Sequence, residues 1–257
     1  MPNQSPRTIL ITGATGGIGY ALATEYAIPG VTLILQGRNQ QKLNELSAVC
    51  QQQGARVITQ ALDLRDLPAL AVWLAEIGSH EDLDLVFVNA GLNTNIGANG
   101  QGENWQEVQA LIEVNVLAAM ATVHAVLPAM RQRGAGQIAL ISSLAAYFGL
   151  PVTPSYCASK AALKAYGESL RGWLAPEGIQ VNVVMPGYVE SKMCHEMPGP
   201  KPFLWPADKA ARYIKRGLQC NRPRISFPFP LDFGTWWLAV LPPAISQLIL
   251  RWLHYGG

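Results

Sequence analysis

The chain has 257 residues, 49% of them hydrophobic, and a formal net charge of +2 at pH 7. That is enough apolar material for one sizeable core, and too little net charge for a strong field toward nucleic acid, which the lack of basic blocks interleaved with aromatics also disfavours. Cys50, Cys157, Cys194 and Cys220 lack Cys-x2-Cys spacing and the four histidines form no His-x3-His pair, so reduced thiols and no structural metal are expected.

The first strand, Ile9 to Thr12, begins within ten residues and leaves no room for an apolar signal segment, so a cytoplasmic location is expected. Further β-rich runs lie at Thr32 to Gln36, Arg56 to Ala61, Leu85 to Asn89, Gln137 to Ser142, Gln180 to Met185 and Arg224 to Phe227. Helical periodicity falls between them, near Ile18 to Ala27, Gln40 to Gln53, Leu67 to Ile77, Trp105 to Arg133, Tyr156 to Ala175 and Ala207 to Leu218, with Gly54, Gly134 and Gly178 as stop signals. Alternating strand and helix predicts an α/β protein: a doubly wound, Rossmann-like parallel sheet of about seven strands with helices on both faces. One domain spans 1–257, with a cofactor-binding and catalytic core at 8–191, a substrate loop with the last helix and strand at 188–226, and an apolar tail at 228–257.

The first strand runs through Gly13, Thr15, Gly16, Gly17, Ile18 and Gly19 into a helix, the setting a nucleotide phosphate needs. Gly13 suits a tight turn, Gly17 lets backbone approach a pyrophosphate, and Gly19 lets helix and strand pack closely. The spacing is Gly-x3-Gly-x-Gly rather than the general Gly-x-Gly-x-x-Gly. After the second strand, Gln36-Gly37-Arg38 offers no acid for a ribose 2′-hydroxyl and an arginine fork suited to a 2′-phosphate, which favours NADP over NAD; an ordinary solvated loop cation is the other reading of Arg38. Asn89, Ala90 and Gly91 close the fourth strand, where small residues let a ligand approach. Asn115 interrupts an apolar helix, and a buried amide must find partners.

Ser143, Tyr156 and Lys160 stand as Ser-x12-Tyr-x3-Lys. A lysine one turn after a tyrosine puts an ammonium on the same helix face, where its charge favours the phenolate, and the serine at a strand end can donate to the same substrate oxygen. Ser142 is the weaker candidate, because the thirteen-residue offset to Tyr156 selects Ser143 and adjacent strand residues face opposite ways.

With Thr12-Gly13-x3-Gly17-Ile18-Gly19, Asp63, Asn89-Ala90-Gly91, Asn115, Ser143, Tyr156-x3-Lys160 and Pro186-Gly187 in order over residues 8 to 191, the chain resembles the short-chain dehydrogenase/reductase family, classical type. The resemblance implies a nicotinamide cofactor, an Asn-Ser-Tyr-Lys catalytic set and strand order 3-2-1-4-5-6-7. It implies that Asp63 meets the adenine amine with Leu64 near the ring, although a solvated turn aspartate remains open. Asn115 would hold a water linking Lys160 to solvent, or be a structural amide satisfied by backbone. Pro186 and Gly187 would receive the nicotinamide carboxamide, with Ser191 where threonine is usual. Members commonly pair through helices corresponding to Trp105 to Arg133 and Tyr156 to Ala175, so a homodimer or homotetramer is expected.

The reading that results is an NADP(H)-dependent oxidoreductase, a carbonyl reductase first, acting on a hydrophobic carbonyl or secondary alcohol. Alternatives are a membrane-surface lipid-modifying reductase and a non-catalytic NADP(H)-sensing protein, though a sensor has no need of Tyr156 and Lys160. Reduction of an acyl-carrier-bound substrate would use a basic patch at Arg212, Lys215 and Arg216, against the simpler reading of a solvated helix face. Met193, Met197, Phe203, Leu204 and Trp205 are expected to line an apolar pocket or to cover the core. The tail, broken at Pro242-Pro243, is too short in either half to span a bilayer; it is expected to pack over the pocket or a second subunit, with peripheral membrane contact as the rival.

Overall fold

The computed structural model describes residues 6–97, 99–197 and 199–253. Seven parallel strands form one sheet: β1 (Thr8–Ile11), β2 (Thr32–Gly37), β3 (Arg56–Ala61), β4 (Leu85–Val88), β5 (Gly136–Ile141), β6 (Ile179–Pro186) and β7 (Arg224–Phe227). Their order is β3-β2-β1-β4-β5-β6-β7, as the resemblance implied. Because helices cover both faces, the strands are apolar on both sides, and alternate residues enter two separate cores. Ile9, Ile11, Leu33, Leu35 and Phe87 pack on one face, while Leu10, Ile34, Val86, Val88 and Leu140 pack on the other.

The first core is closed by α1 (Gly17–Tyr26), α2 (Gln40–Gln52) and α8 (Ala207–Gln219), the second by α3 (Leu67–His80), α5 (Ala119–Arg133) and α6 (Pro154–Leu174). Asn39 and Asp66 cap α2 and α3 by accepting from the N–H groups of Lys42 and Ala69. The single helix expected over Trp105 to Arg133 is interrupted: α4 (Trp105–Ile112) passes into a π-turn at Glu113–Ala118 before α5. The stretch Trp105–Arg133 is long and apolar enough to cross a membrane (mean hydropathy 1.8), but half of that apolar window is buried within the fold.

Beyond β6 the chain forms a short helix not expected from the sequence, α7 (Lys192–Glu196). Phe203, Leu204 and Trp205 do not become pocket wall. Trp205 stacks on Phe227 at 5.1 Å and meets Tyr213 edge-on at 5.6 Å, sealing the first core, while Phe203 is exposed. On α8, Lys215 pairs with Glu25 and Arg212 with Asp208, while Arg216 is exposed. The tail folds into a hairpin of α9 (Leu231–Val240) and α10 (Pro243–Trp252), locked where the buried Ser246 hydroxyl donates to the Leu238 carbonyl at 2.8 Å.

Candidate active site

A cleft of about 970 Å³ opens at the carboxyl ends of the strands, where β1 and β4 diverge to opposite halves of the sheet. Every residue expected to bind or catalyse lines it except Asn115, which is fully buried behind the wall.

The glycine turn is built by mutual fit with β4. Gly13 sits at φ +64°, and a Cβ there would lie 2.7 Å from the Ala90 Cα, so both the conformation and the contact exclude a side chain. Asn89 donates its amide to the carbonyls of Thr12 and Gly13 at 2.9 and 3.1 Å, so this side chain braces the turn. Gly17 meets the opposite rim, with a hypothetical Cβ 2.6 Å from the Glu190 carbonyl oxygen. The N-terminus of α1 has neither a side-chain cap nor an acid in its first turn. Its unsatisfied N–H groups therefore remain to receive a phosphate.

Gln36, not singled out from the sequence, belongs to this machinery. Buried at the end of β2, it accepts from the Gly13 N–H at 2.9 Å and donates to the Leu62 carbonyl at 2.6 Å, joining the glycine turn to the loop that carries Asp63 and Leu64. The only signal was a long polar residue ending an apolar strand. Arg38 and Lys42 line the rim beside it, and Arg38 is exposed. Asp63 is neither free nor simply solvated: Arg65 grips its carboxylate, with Nη2 at 2.6 Å, and holds its pKa below the usual carboxylate range. That partner also lay outside the sequence reading.

Asn115 accepts from the Leu92 N–H at 2.7 Å and donates to the Leu92 carbonyl and the Ser159 hydroxyl, both at 3.0 Å. It makes no hydrogen bond to Lys160. The geometry is that of an amide satisfied mainly by backbone: it clasps the start of the loop after β4 at the π-turn, and Gly91 lies between, where a Cβ would be 3.3 Å from both Asn115 Oδ1 and Lys160 Nζ.

Ser143 leaves β5 in extended conformation, accepts from the Ala145 N–H at 3.1 Å, donates to the Pro186 carbonyl at 3.4 Å, and lies close enough to the Tyr156 hydroxyl to lower its pKa. Its neighbour Ser142 faces the other way and donates to the Lys160 carbonyl at 2.7 Å, fastening α6 to the sheet. Lys160 is 4% exposed, donates to the Ile141 carbonyl at 2.9 Å, and lies 5.6 Å from the Tyr156 ring centroid. Burial pushes Tyr156 up to about 12, against the opposing hydrogen bond from Ser143, and brings Lys160 down to about 8. The lysine was expected to favour the phenolate. Here removal from water is the largest influence on both groups and presses each toward its neutral form.

On the far side, Ser191 caps α7 by accepting from the Cys194 N–H at 3.1 Å, and Gly187 donates to the Phe227 carbonyl at 2.8 Å, so the Pro186-Gly187 turn is tied to β7. This half of the cleft is apolar, with Leu144, Phe148, Met193 and Met197 facing Leu238 and Leu250 of the hairpin. Met193 and Met197 fulfil their expected place; Phe148 carried no sequence signal because only the tertiary fold brings it here.

The family model for short chain dehydrogenase matches residues 7–200. An uncharacterized oxidoreductase of Myxococcus xanthus is 35% identical over 99% of this chain and 100% of its own. Another uncharacterized oxidoreductase, of Mycobacterium tuberculosis, is 38% identical over 72% of this chain and 74% of its own. Among solved structures, a short-chain dehydrogenase from Sphingobium yanoikuyae in complex with NADPH superposes with a TM-score of 0.80 at 25% identity, covering 95% of each chain.

Replacing Tyr156 by Phe removes only the hydroxyl beside Ser143. Turnover of a verified substrate should fall roughly a hundredfold or more while nucleotide affinity changes little, as titration of intrinsic fluorescence with NADPH would report. Lys160 makes a second, independent prediction. Between its folded value of about 8 and the ordinary 10.5, the unfolded chain holds a proton that the folded chain has released, so this group makes stability rise with pH across that window. Lys160→Met should therefore raise the melting temperature of the nucleotide-free protein at pH 7, with a gain that shrinks as pH climbs from 8 toward 10.5. Melting scans at several pH values check this, and a loss at pH 7 would mean that the bond to Ile141 outweighs the cost of burial.

Proposed function

The chain belongs to the short-chain dehydrogenase family, and from that premise we propose that it is an NADP(H)-dependent oxidoreductase that interconverts a carbonyl and a secondary alcohol on a bulky hydrophobic substrate. The observation that carries this reading is the position of Ser143, Tyr156 and Lys160 between a phosphate-ready glycine turn and an apolar wall. The residues fit such a cofactor: the first-turn amides of α1 suit a diphosphate, and Arg38 with Lys42 suits a 2′-phosphate. The solved relative that binds NADPH supports the same class. When bound, a nicotinamide supplies or accepts the hydride.

The chain's own groups do the rest. Ser143 and Tyr156 hold the substrate oxygen with two hydroxyls, and Tyr156, protonated at neutral pH, releases its proton as charge develops on that oxygen. Lys160 suits ribose hydroxyls and favours the phenolate left behind, and Asn115 keeps the wall beneath it in register for reprotonation from solvent. A high tyrosine pKa and an arginine in place of an acid after β2 both favour reduction over oxidation. The roof formed by Leu238 and Leu250 favours a substrate whose body is largely hydrocarbon. Pairing of subunits through α4, α5 and α6 belongs to this reading and is favoured by exposed Trp105 on α4, Trp173 on α6 and Leu117 on the π-turn between α4 and α5.

A second reading is favoured by the outer face of the hairpin, where Phe233, Trp236, Val240, Leu248 and Trp252 are all exposed. Tryptophans on short helices beside Arg251 suit a headgroup boundary, which would make the enzyme a peripheral one acting on membrane-derived substrates.

Cofactor choice is tested by Arg38→Ala, which should raise KM for NADPH at least tenfold and leave that for NADH nearly unchanged; steady-state kinetics with both cofactors decide it, and equal losses would assign Arg38 a structural role. The two readings of the hairpin part on deletion after Phe229. If the hairpin covers pocket and subunit, the truncated protein should still bind NADPH but lose affinity for bulky ketones or change its assembly state in detergent-free solution. Strong sedimentation of the intact protein with liposomes, abolished by deletion without a change in assembly, would instead establish the membrane reading.

A further inference from the structure

The first turn of α6, which presents Tyr156, lacks its expected cap. A residue at the position of Thr153 ordinarily turns its hydroxyl onto the N–H two or three residues ahead. Here Thr153 is buried and its hydroxyl is directed elsewhere, to the Thr94 carbonyl at 2.6 Å and to Asn93 Oδ1 at 3.0 Å. The vacant role is filled from 52 residues away. Glu103 accepts from the Ser155 N–H, at 3.2 Å to Oε2 and 3.3 Å to Oε1, and from the Ser155 hydroxyl at 2.6 Å. The same carboxylate accepts from the Thr94 hydroxyl at 2.5 Å. A negative charge is also favoured there by the helix dipole.

Glu103 closes the loop that follows β4, and Leu92, Asn93 and Asn95 of that loop line the cleft. The start of the loop is held by Asn115 through Leu92. Its far end is held by Glu103, and a further backbone bond joins Ile96 N–H to the Val152 carbonyl at 3.2 Å. One carboxylate thus couples two elements that must agree in position, the wall a substrate rests against and the residue immediately before the proton donor.

We infer that Glu103 is a positioning residue: by capping α6 from the wall loop it sets the distance between Tyr156 and a bound carbonyl compound, without touching substrate or cofactor. Turnover is sensitive to such placement, since an error near 1 Å can cost about a hundredfold. Glutamine can reproduce much of the clamp, its carbonyl accepting from Thr94 and the Ser155 N–H while its amide donates to the Ser155 hydroxyl; alanine can reproduce none of it.

The test combines amide hydrogen exchange on the full-length protein with steady-state kinetics on ketones that the wild type reduces. Glu103→Ala should speed exchange in 92–97 and 154–157 together while the β-sheet amides stay protected. It should lower kcat about tenfold with the Kd for NADPH within twofold, and Glu103→Gln should fall between alanine and wild type in both measurements. Thr94→Val, which deletes a single donor, should give a smaller loss in the same two segments and serves if the alanine variant does not fold. Unchanged protection of 154–157, or a kcat equal to wild type despite a lowered melting temperature, would overturn the inference. The kinetic arm rests on the reductase reading and the exchange arm does not, so a wild type inactive on every ketone would count against that reading while exchange still judged the clamp.

Discussion

Lys160 lies almost wholly out of water with its ammonium against the Ile141 carbonyl, and an unpaired buried charge is among the least favourable things a fold can contain. Much of the catalytic end of the molecule is arranged around tolerating it. Ser142 pins the lysine backbone to the end of β5, the absence of a side chain at Gly91 leaves room beside the ammonium, and Asn115 ties down the start of the neighbouring loop at Leu92. The same dry surroundings raise the Tyr156 pKa, so the conditions that strain the lysine also keep the tyrosine protonated. Stability is given up at the place where the proposed reaction would use these two groups.

What could be read from the sequence follows from how local each signal is. Tyr156 and Lys160 are one helical turn apart, so their common face follows from spacing alone. Gly13, Gly17 and Gly19 sit on a strand-to-helix junction whose geometry is equally local, and the strand order follows from right-handed crossovers and the family pattern. Gln36, Arg65 and Glu103 escaped because each acts on a partner supplied by the tertiary fold or by a loop conformation no periodicity encodes. Asn115 lies between these cases. Its anomaly in an apolar helix was plain, whereas its clasp on Leu92, 23 residues earlier, and the π-turn that comes with it needed coordinates.

The two halves of the cleft differ in the same way. The nucleotide half is made of strand ends and glycine contacts with little freedom to vary: at Gly13 a single added carbon would collide with Ala90. The substrate half is made of α7, the segment after β5 and the α9–α10 hairpin, whose side chains need only be apolar and of suitable size. The matched family region ends at residue 200, before the hairpin begins. Cofactor chemistry was therefore legible from motifs, while the substrate is constrained only by the shape and polarity of a wall.

That wall has an unusual economy. An amphipathic helix normally turns one face to the core and the other to water, but the hairpin is apolar on both. Leu238 and Leu250 face the cleft, while Trp236, Leu248 and Trp252 face outward. Leaving such a surface in water forgoes about 25 cal/mol for each Å² of apolar area that could be covered, and a contiguous patch of this kind marks a contact site. The two faces belong to the same two short helices, so whatever covers the outer one bears on the rigidity of the inner one. In the proposed reductase, a hairpin that both roofs the cavity and presents an apolar outer face would couple the shape of the site to whatever covers that face.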